Sequence, residues 1–382
     1  MAKRYLLGLL TVLLAIVLCA CQSTSQSHDG KDKKSAEDRK KEENMYAKKK
    51  NKDQKDWVTY KGDVAHVFYH PIIAEPKKAF TGDPSSAKGN NDWMITVNEF
   101  NKSLDELYKH NYILVDPHDV YDLKSNPVKK KEIKLPKGKK PLILSIDDMN
   151  YYDYMRGHGY ADRLVLDKNK HVVSETKGKD GKVTQSETND IVPILNNFVK
   201  KHPDFSYNGQ KGVVALTGYN GVLGYRTNEL DSKDYDKRKE QATKVANAMK
   251  RDGWTFASHS WGHINFEDTS YDRIVKDTKR WEKEVTPIIG KTDLFIFPHG
   301  AQDRGSQGYN YLEHQAGFKY IAGVGPNNYT IIDKDSVYQD RVAIDGLNLY
   351  QFKYKMKPFL DPEKVYSKED RKYFKGNKDY DY

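Results

Sequence analysis

Asp147-Asp148 and His259-Ser260-Trp261-Gly262-His263 hold the residues of this chain whose types and spacing could do chemistry. Two imidazoles and one carboxylate can hold a divalent metal and leave a position open for water, the ligand set of hydrolytic rather than closed structural zinc sites. A second carboxylate beside that set can take a proton. Singly, each signal is weak. Paired aspartates are common in turns, and the His spacing lacks the Glu that the His-Glu-x-x-His pattern places after its first His. Order and context strengthen both. Pro141-Leu142-Ile143-Leu144 leads into Ser145-Ile146-Asp147-Asp148, and Trp254-Thr255-Phe256-Ala257 leads into Ser258-His259. Each apolar run reads as a buried strand with its polar groups at the C-terminal end, where α/β folds bind ligands. A third run, Leu294-Phe295-Ile296-Phe297, ends in Pro298-His299-Gly300.

The elements around these segments alternate. Strands are expected at Val64–Tyr69, Ile113–Val115, Leu142–Ile146, Gly212–Leu216, Leu294–Phe297 and Tyr320–Ala322. Helical spacing marks Val97–Lys109, Ile191–Lys200, Lys233–Arg251, Tyr271–Ile289 and Tyr309–Ala316. Alternation of this length argues for an α/β parallel barrel or sheet. An insertion, Tyr151–Asp190, begins directly after Asp148, so it should overhang the site. Its Tyr151, Tyr152 and Tyr154, with Trp261, are candidates for stacking on sugar faces, since such side chains offer apolar area with a polar edge.

The ordered triple of Asp-Asp, His-x-x-x-His and a Pro/Gly loop resembles the polysaccharide deacetylase family, the NodB-homology or carbohydrate esterase family 4 enzymes, from Val64 to Tyr350. The resemblance implies a distorted (β/α) barrel lacking one or more of the eight regular units, here the domain 57–366. It implies Asp147 as catalytic base, Asp148, His259 and His263 as metal ligands, and Pro298 in the wall of the groove. His66-Val67-Phe68-Tyr69-His70-Pro71, followed by Phe100, Leu104, Leu107 and Tyr112, is similar to the opening strand and helix of the branch that acts on extracellular poly-N-acetylglucosamine. Two departures stand out. Ile296 occupies the place of the family's Arg two residues before the Pro, which makes Arg341 the candidate for orienting Asp147. The last motif region, Gly346–Tyr350, has no His to act as general acid, which makes His299 the candidate.

Composition sets the address. Lys3-Arg4 ahead of the apolar run Leu6–Leu18 reads as a secretory signal over residues 1–20, too short to span a bilayer of about 30 Å. Leu18-Cys19-Ala20-Cys21 resembles a bacterial lipobox, which predicts lipidation at Cys21 and a lipid anchor outside the cytoplasm. Residues 21–56 are charged and polar, a composition that cannot bury enough surface to fold and reads as a tether. Residues 367–382 form a charged tail. The chain has two cysteines, both in the leader, which excludes disulfides and thiol nucleophiles in the expected domain. Its 382 residues, 37% hydrophobic, suffice for one large core, and a monomer is expected. The net charge of +10 suits anionic wall polymers or headgroups. Nucleic acid is not expected, because the lysines are spread along the chain.

The resulting expectation is metal-dependent removal of N-acetyl groups from a cell-wall or extracellular polysaccharide containing N-acetylhexosamine. Zinc fits the ligand set, as cobalt, nickel or manganese would. Two rivals keep the barrel: a glycan-binding pseudoenzyme without acid or orienting Arg, and an O-deacetylase whose alcohol leaving group needs less acid assistance. A solute-binding lipoprotein would share the lipobox and tether but has no use for the three metal ligands.

Overall fold

Near-continuous apolar runs are what parallel strands buried on both faces require, and in the computed structural model they become the staves of a barrel. The structure describes residues 56–301 and 304–376. Eight parallel strands matter to the site: β1 (Ala65–Tyr69), β2 (Tyr112–Leu114), β3 (Lys140–Ile146), β4 (Gly212–Leu216), β5 (Trp254–Ser258), β6 (Leu294–Ile296), β7 (Tyr320–Val324) and β8 (Val337–Ala343). Seven of them close a ring in the order β1–β3–β4–β5–β6–β7–β8–β1. Register pairs Tyr69 with Ile146, Val214 with Ile146, Leu216 with Ser258, Ser258 with Phe295 and Val342 with Val67. The eighth, β2, pairs only with the first half of β3, at Lys140–Leu142, and leaves the second half to β4. This is the expected distorted barrel, one stave short of eight.

The helices outside the ring form for local reasons. α1 (Pro84–Trp93) starts with Pro at its first position behind an Asp83 cap. In α2 (Val97–Lys109), Thr96 and Glu99 make a reciprocal capping box, and Phe100, Leu104 and Leu107 at helical spacing are buried. Each of those three contributes about 1.5–3 kcal/mol relative to exposure. α3 (Ile191–Lys201) is capped by Asp190. α4 (Tyr235–Asp252) stops at Gly253, whose φ of 99° and a carbonyl only 2.1 Å from where a Cβ would stand leave no room for another residue. The next residue opens β5, so this cap aims the strand that ends in His259. α5 (Tyr271–Glu284) follows the His loop, and Thr286–Ile289 is a separate short helix rather than its continuation.

The structure corrects two expectations here. The insertion after Asp148 is a loop followed by three antiparallel strands, Arg163–Leu166, Val172–Lys177 and Val183–Ser186. Only its opening loop reaches the site. The C-terminal segment does not fall away at residue 367: Arg371 is 3% exposed and forks onto both Glu99 oxygens at 2.8 Å, with Phe374 buried beyond it. A charged sequence docks because its guanidinium finds a buried carboxylate and the Asn91 and Met94 carbonyls. The leader, Cys21, the tether up to residue 55 and residues 377–382 lie outside the described residues. Among the described residues, no helix is long and apolar enough to cross a membrane.

Candidate active site

The site is built at the C-terminal rim by four adjoining strand ends, those of β1, β3, β4 and β5. β3 ends into Asp147-Asp148, and the Asp147 N–H donates to the Tyr69 carbonyl of β1 at 2.9 Å. β5 ends into His259, whose N–H donates to Leu216 at the end of β4 at 3.0 Å. These ladder continuations fix where each side chain starts. The turns that follow are unusual for non-glycine residues: Asp148, Tyr151, Ser260, His263 and His299 all have φ between 51° and 62°. Each costs on the order of 1 kcal/mol, and such positions persist only when their surroundings over-determine them.

Those surroundings are visible. The Asn150 side chain accepts from the Thr217 N–H at 3.1 Å and donates to the Thr217 and Gly221 carbonyls, stitching the Asp148 turn to the end of β4. Arg226, 7% exposed, donates to the Tyr151 carbonyl at 2.7 Å and to the Asn220 carbonyl at 2.6 Å. On the other side, Asp277 of α5 accepts the Trp261 and Gly262 N–H groups at 2.6 and 2.8 Å, shaping the loop that presents His263.

One donor atom each from Asp148, His259 and His263 lies within 4.8 Å of the others. His259 Nδ1–H donates to the Ile296 carbonyl at 2.8 Å, which fixes the tautomer and leaves Nε2 facing Asp148 Oδ1 at 3.9 Å. His263 Nε2 is 3.7 Å from the same oxygen. Burial pushes the His263 imidazole down to about 4, past the opposing pull of Asp148, so it is neutral at ordinary pH. Neutral imidazoles and a carboxylate are the form in which these residues bind metal, and the tied Nδ1 of His259 is how such ligands are oriented. The three residues therefore fit a divalent ion. Asp148 Oδ1 also accepts the Tyr152 hydroxyl at 2.5 Å.

Asp147 stands apart from that set and is held by Arg341. The guanidinium, 0% exposed, makes two parallel bonds to Asp147 Oδ1 and Oδ2, at 2.7 and 2.9 Å. Burial would raise the Asp147 carboxyl, yet the Arg341 charge, then His259, outweigh it and hold it at about 2. Arg341 is itself anchored through the barrel interior. It donates to Ser145 Oγ at 3.0 Å, Ser145 lies 2.9 Å from His66 Nε2, His66 Nδ1 lies 2.8 Å from the Tyr320 hydroxyl, and Tyr320 donates to Gln339. Burial, then the Arg341 charge, push His66 well below the usual imidazole range, so it serves as a neutral link.

The remaining sequence candidates divide. Tyr151 is 0% exposed with its hydroxyl on Asp190, and Tyr152, 2% exposed, spends its hydroxyl on Asp148. Neither offers a face to a sugar. Trp261 is half-buried: Arg280 covers its ring at 3.3 Å, Glu284 takes its Nε1–H at 2.7 Å, and a Cβ on Gly218 would strike it at 2.0 Å. Its apolar surface is already used. Pro298 is buried, whereas His299 is exposed, packs edge-on to His263 with ring centroids 4.4 Å apart and donates from Nε2 to the His263 carbonyl at 3.1 Å.

One group escaped the sequence reading. His70 is the residue after β1, next to the Tyr69 carbonyl that receives Asp147, and its charge bears on both Asp147 and the buried Asp345. Its Nδ1 donates to the Trp93 carbonyl at 3.1 Å. A single His at the end of a strand carries no sequence signal of its own. Only the pairing of β1 with β3, some seventy residues away, brings it to Asp147.

Residues 228–321 match the family model for polysaccharide deacetylase. No curated protein matches the chain. Among solved structures, the chain is similar to the Streptococcus pyogenes deacetylase PplD in complex with acetate, at 14% identity over 77% of this chain and 98% of that one, with a TM-score of 0.42. It is similar to IcaB from Ammonifex degensii at 14% identity over 74% and 93%, with a TM-score of 0.41. A polysaccharide deacetylase from Bacillus cereus matches at 12% identity over 78% and 69%, with a TM-score of 0.42.

Proposed function

Because residues 228–321 of the chain belong to the polysaccharide deacetylase family, we propose that the protein hydrolyses N-acetyl groups on a cell-wall or extracellular polymer containing N-acetylhexosamine, with a divalent metal held by Asp148, His259 and His263. The observation that carries the reading is Asp147, a carboxylate kept ionised by a buried, bidentate Arg341 and placed 3.9 Å from the His259 ligand atom. Against free water so acidic a carboxylate is a feeble base. That mismatch shrinks by about 12 kcal/mol when the pKa of the water falls from about 15.7 to about 7, which is the chemistry a divalent metal supplies in such a ligand set.

The protein's own groups then divide the work. Water adds to the acetamide carbonyl carbon as Asp147 Oδ2 takes its proton. The C–N bond breaks, the departing amine takes a proton from His70, and acetate leaves. Arg341 keeps the Asp147 carboxylate from turning or protonating early, and Tyr152 donates to Asp148 Oδ1, the oxygen that faces both histidines, and so orients that carboxylate. Two absences motivated the pseudoenzyme alternative, an orienting Arg and an acid. Arg341 bonds Asp147, and His70 follows the Tyr69 carbonyl that receives the Asp147 N–H, which supports a working enzyme.

Acetate release from a panel of N-acetylhexosamine polymers and acetyl esters tests the reading. Release from amide substrates is expected, release from esters alone would replace it with O-deacetylation, and release from none would overturn it. His263→Ala is expected to lower bound metal to a small fraction of the wild-type content, because two protein ligands remain. Elemental analysis showing full occupancy would refute the ligand assignment.

The same reading sets the domain outside the cytoplasm, lipid-anchored through Cys21 by way of the polar segment before Trp57. Acyl chains contribute about 0.8 kcal/mol per buried methylene, and two or more anchor stably. Cys21→Ser is expected to abolish fatty-acid labelling of the protein and its recovery with membranes. Labelling that persists would rule the anchor out.

A further inference from the structure

Two aromatic rings beside the site have no part in the chemistry or the core, and we propose that Trp93 and Tyr154 form a stacking subsite for a sugar ring next to the one being deacetylated. The proposal rests on the deacetylase reading and extends it to how the polymer is gripped. Of the five tryptophans, all within the described residues, Trp93 alone is exposed, at 52%. Tyr154 is 56% exposed. Tryptophan is ordinarily among the more buried residues, so a ring left in solvent on a fixed support suits a ligand.

Each ring is coupled to a different side of the site. Trp93 ends α1, and its carbonyl receives the His70 Nδ1–H at 3.1 Å. Tyr154 stacks on Tyr152 with ring centroids 5.7 Å apart and planes at 27°, and Tyr152 bonds Asp148. Tyr219 backs Tyr152 at 4.7 Å and 10°, completing a column of three rings. Trp93 and Tyr154 line one cavity of about 400 Å³, whose rim is polar through Asp83, Ser86, Asn90 and His158. That size falls in the range of small-ligand clefts, roughly 300–1,000 Å³.

The support is rigid. The Gly159 carbonyl accepts the Ala74 and Glu75 N–H groups at 2.8 and 3.0 Å, and a Cβ on Gly159 would meet the Glu75 carbonyl at 2.6 Å. Asn90 donates to Ala79 at 2.8 Å and accepts the Tyr160 hydroxyl at 2.6 Å. These bonds lock the segment carrying Trp93 to the loop carrying Tyr154. A pyranose presents C–H faces to aromatic rings and hydroxyl or acetamide groups to a polar rim, which matches this pairing of flat apolar faces with uncharged and charged hydrogen-bonding groups. The occupant the chemistry selects is a neutral hexosamine ring of the polymer chain.

The test compares kcat/KM on an N-acetylglucosamine hexamer with that on a small activated acetyl ester, for wild type, Trp93→Ala, Tyr154→Ala and Trp93→Phe. Calorimetric binding of the hexamer is measured alongside in an Asp147→Asn background. Trp93→Ala is expected to lower the hexamer-to-ester ratio about tenfold, chiefly through KM, and to weaken hexamer binding by a similar factor. Trp93→Phe should recover most of the loss. Unchanged hexamer binding overturns the proposal, as does an equal fall on both substrates, which would mark a structural role. Should the wild type leave the hexamer acetylated, the deacetylase reading fails on its own account. Calorimetry then decides the subsite: weaker binding by Trp93→Ala upholds it, and unchanged binding refutes it.

Discussion

Asp147→Asn is expected to cut acetate release by about 10²- to 10⁴-fold while the protein keeps its metal, the range over which general bases act. Asn preserves size and one acceptor for Arg341 but loses the charge and the basic oxygen nearest His259. It also leaves a guanidinium that is 0% exposed facing a neutral amide, with Ser145 Oγ and the Gly323 carbonyl as its remaining acceptors. Breaking a buried pair outright costs about 3–5 kcal/mol, so the near-isosteric variant should melt lower without unfolding. The sign of the pH effect follows from the same pair. The folded Asp147 value of about 2 lies below the usual unfolded value of about 3.9, so its stabilisation is complete above pH 4 and is lost as pH falls through 2. Wild-type Tm should therefore drop more steeply between pH 4 and 2 than that of the variant. Elemental analysis, acetate release and thermal melts at several pH values check each part. Near-normal turnover in the Asn variant would assign the base elsewhere.

What the chain discloses before folding depends on whether polarity and position agree. Leu142–Ile146 and Gly212–Leu216 are apolar throughout, and both are strands whose residues are buried. The helix Val97–Lys109 shows its cap and its buried stripe together, and its limits are those expected. β8 hides for the opposite reason. Tyr338, Gln339, Asp340 and Arg341 interrupt its apolar pattern, because in this strand the polar residues point to buried partners within the barrel and at its rim. The segment was visible as the source of an orienting Arg but not as a strand.

The site residues divide along the same line. Asp147, Asp148, His259 and His263 are legible because each pair is contiguous or nearly so and follows an apolar run. Tyr151 and Tyr152 follow Asp148 closely in sequence, yet both turn inward, since the positive φ at Tyr151 and the Arg226 clamp reverse the chain there. Tyr154, two residues on, is the one left in solvent. Trp93 gives no signal, because it sits in an unremarkable polar helix far from every motif, and the Ile73–Thr96 bridge and the His70 bond to its carbonyl carry it back to the site.

His70→Gln is expected to depress N-deacetylation by about 10²- to 10⁴-fold while cleavage of an activated acetyl ester falls much less. The difference arises in the leaving group: an amine must be protonated to depart, whereas an activated alkoxide leaves without help. His70 is half-buried at the end of β1, its Nδ1 is committed to the Trp93 carbonyl, and Asp147 and Asp345 both bear on its charge. A histidine placed beside the catalytic carboxylate is the commonest kind of general acid. His299 lacks that setting. It is exposed, and its Nε2–H is spent on the His263 carbonyl. His299→Ala should therefore lower amide and ester cleavage together and modestly, through the support it gives His263. Parallel kinetics on an N-acetylhexosamine oligomer and an activated acetyl ester, with metal content measured for both variants, separate the two histidines. Selective loss of amide cleavage in His299→Ala, with His70→Gln near wild type, would return the acid to the Pro298-His299-Gly300 loop.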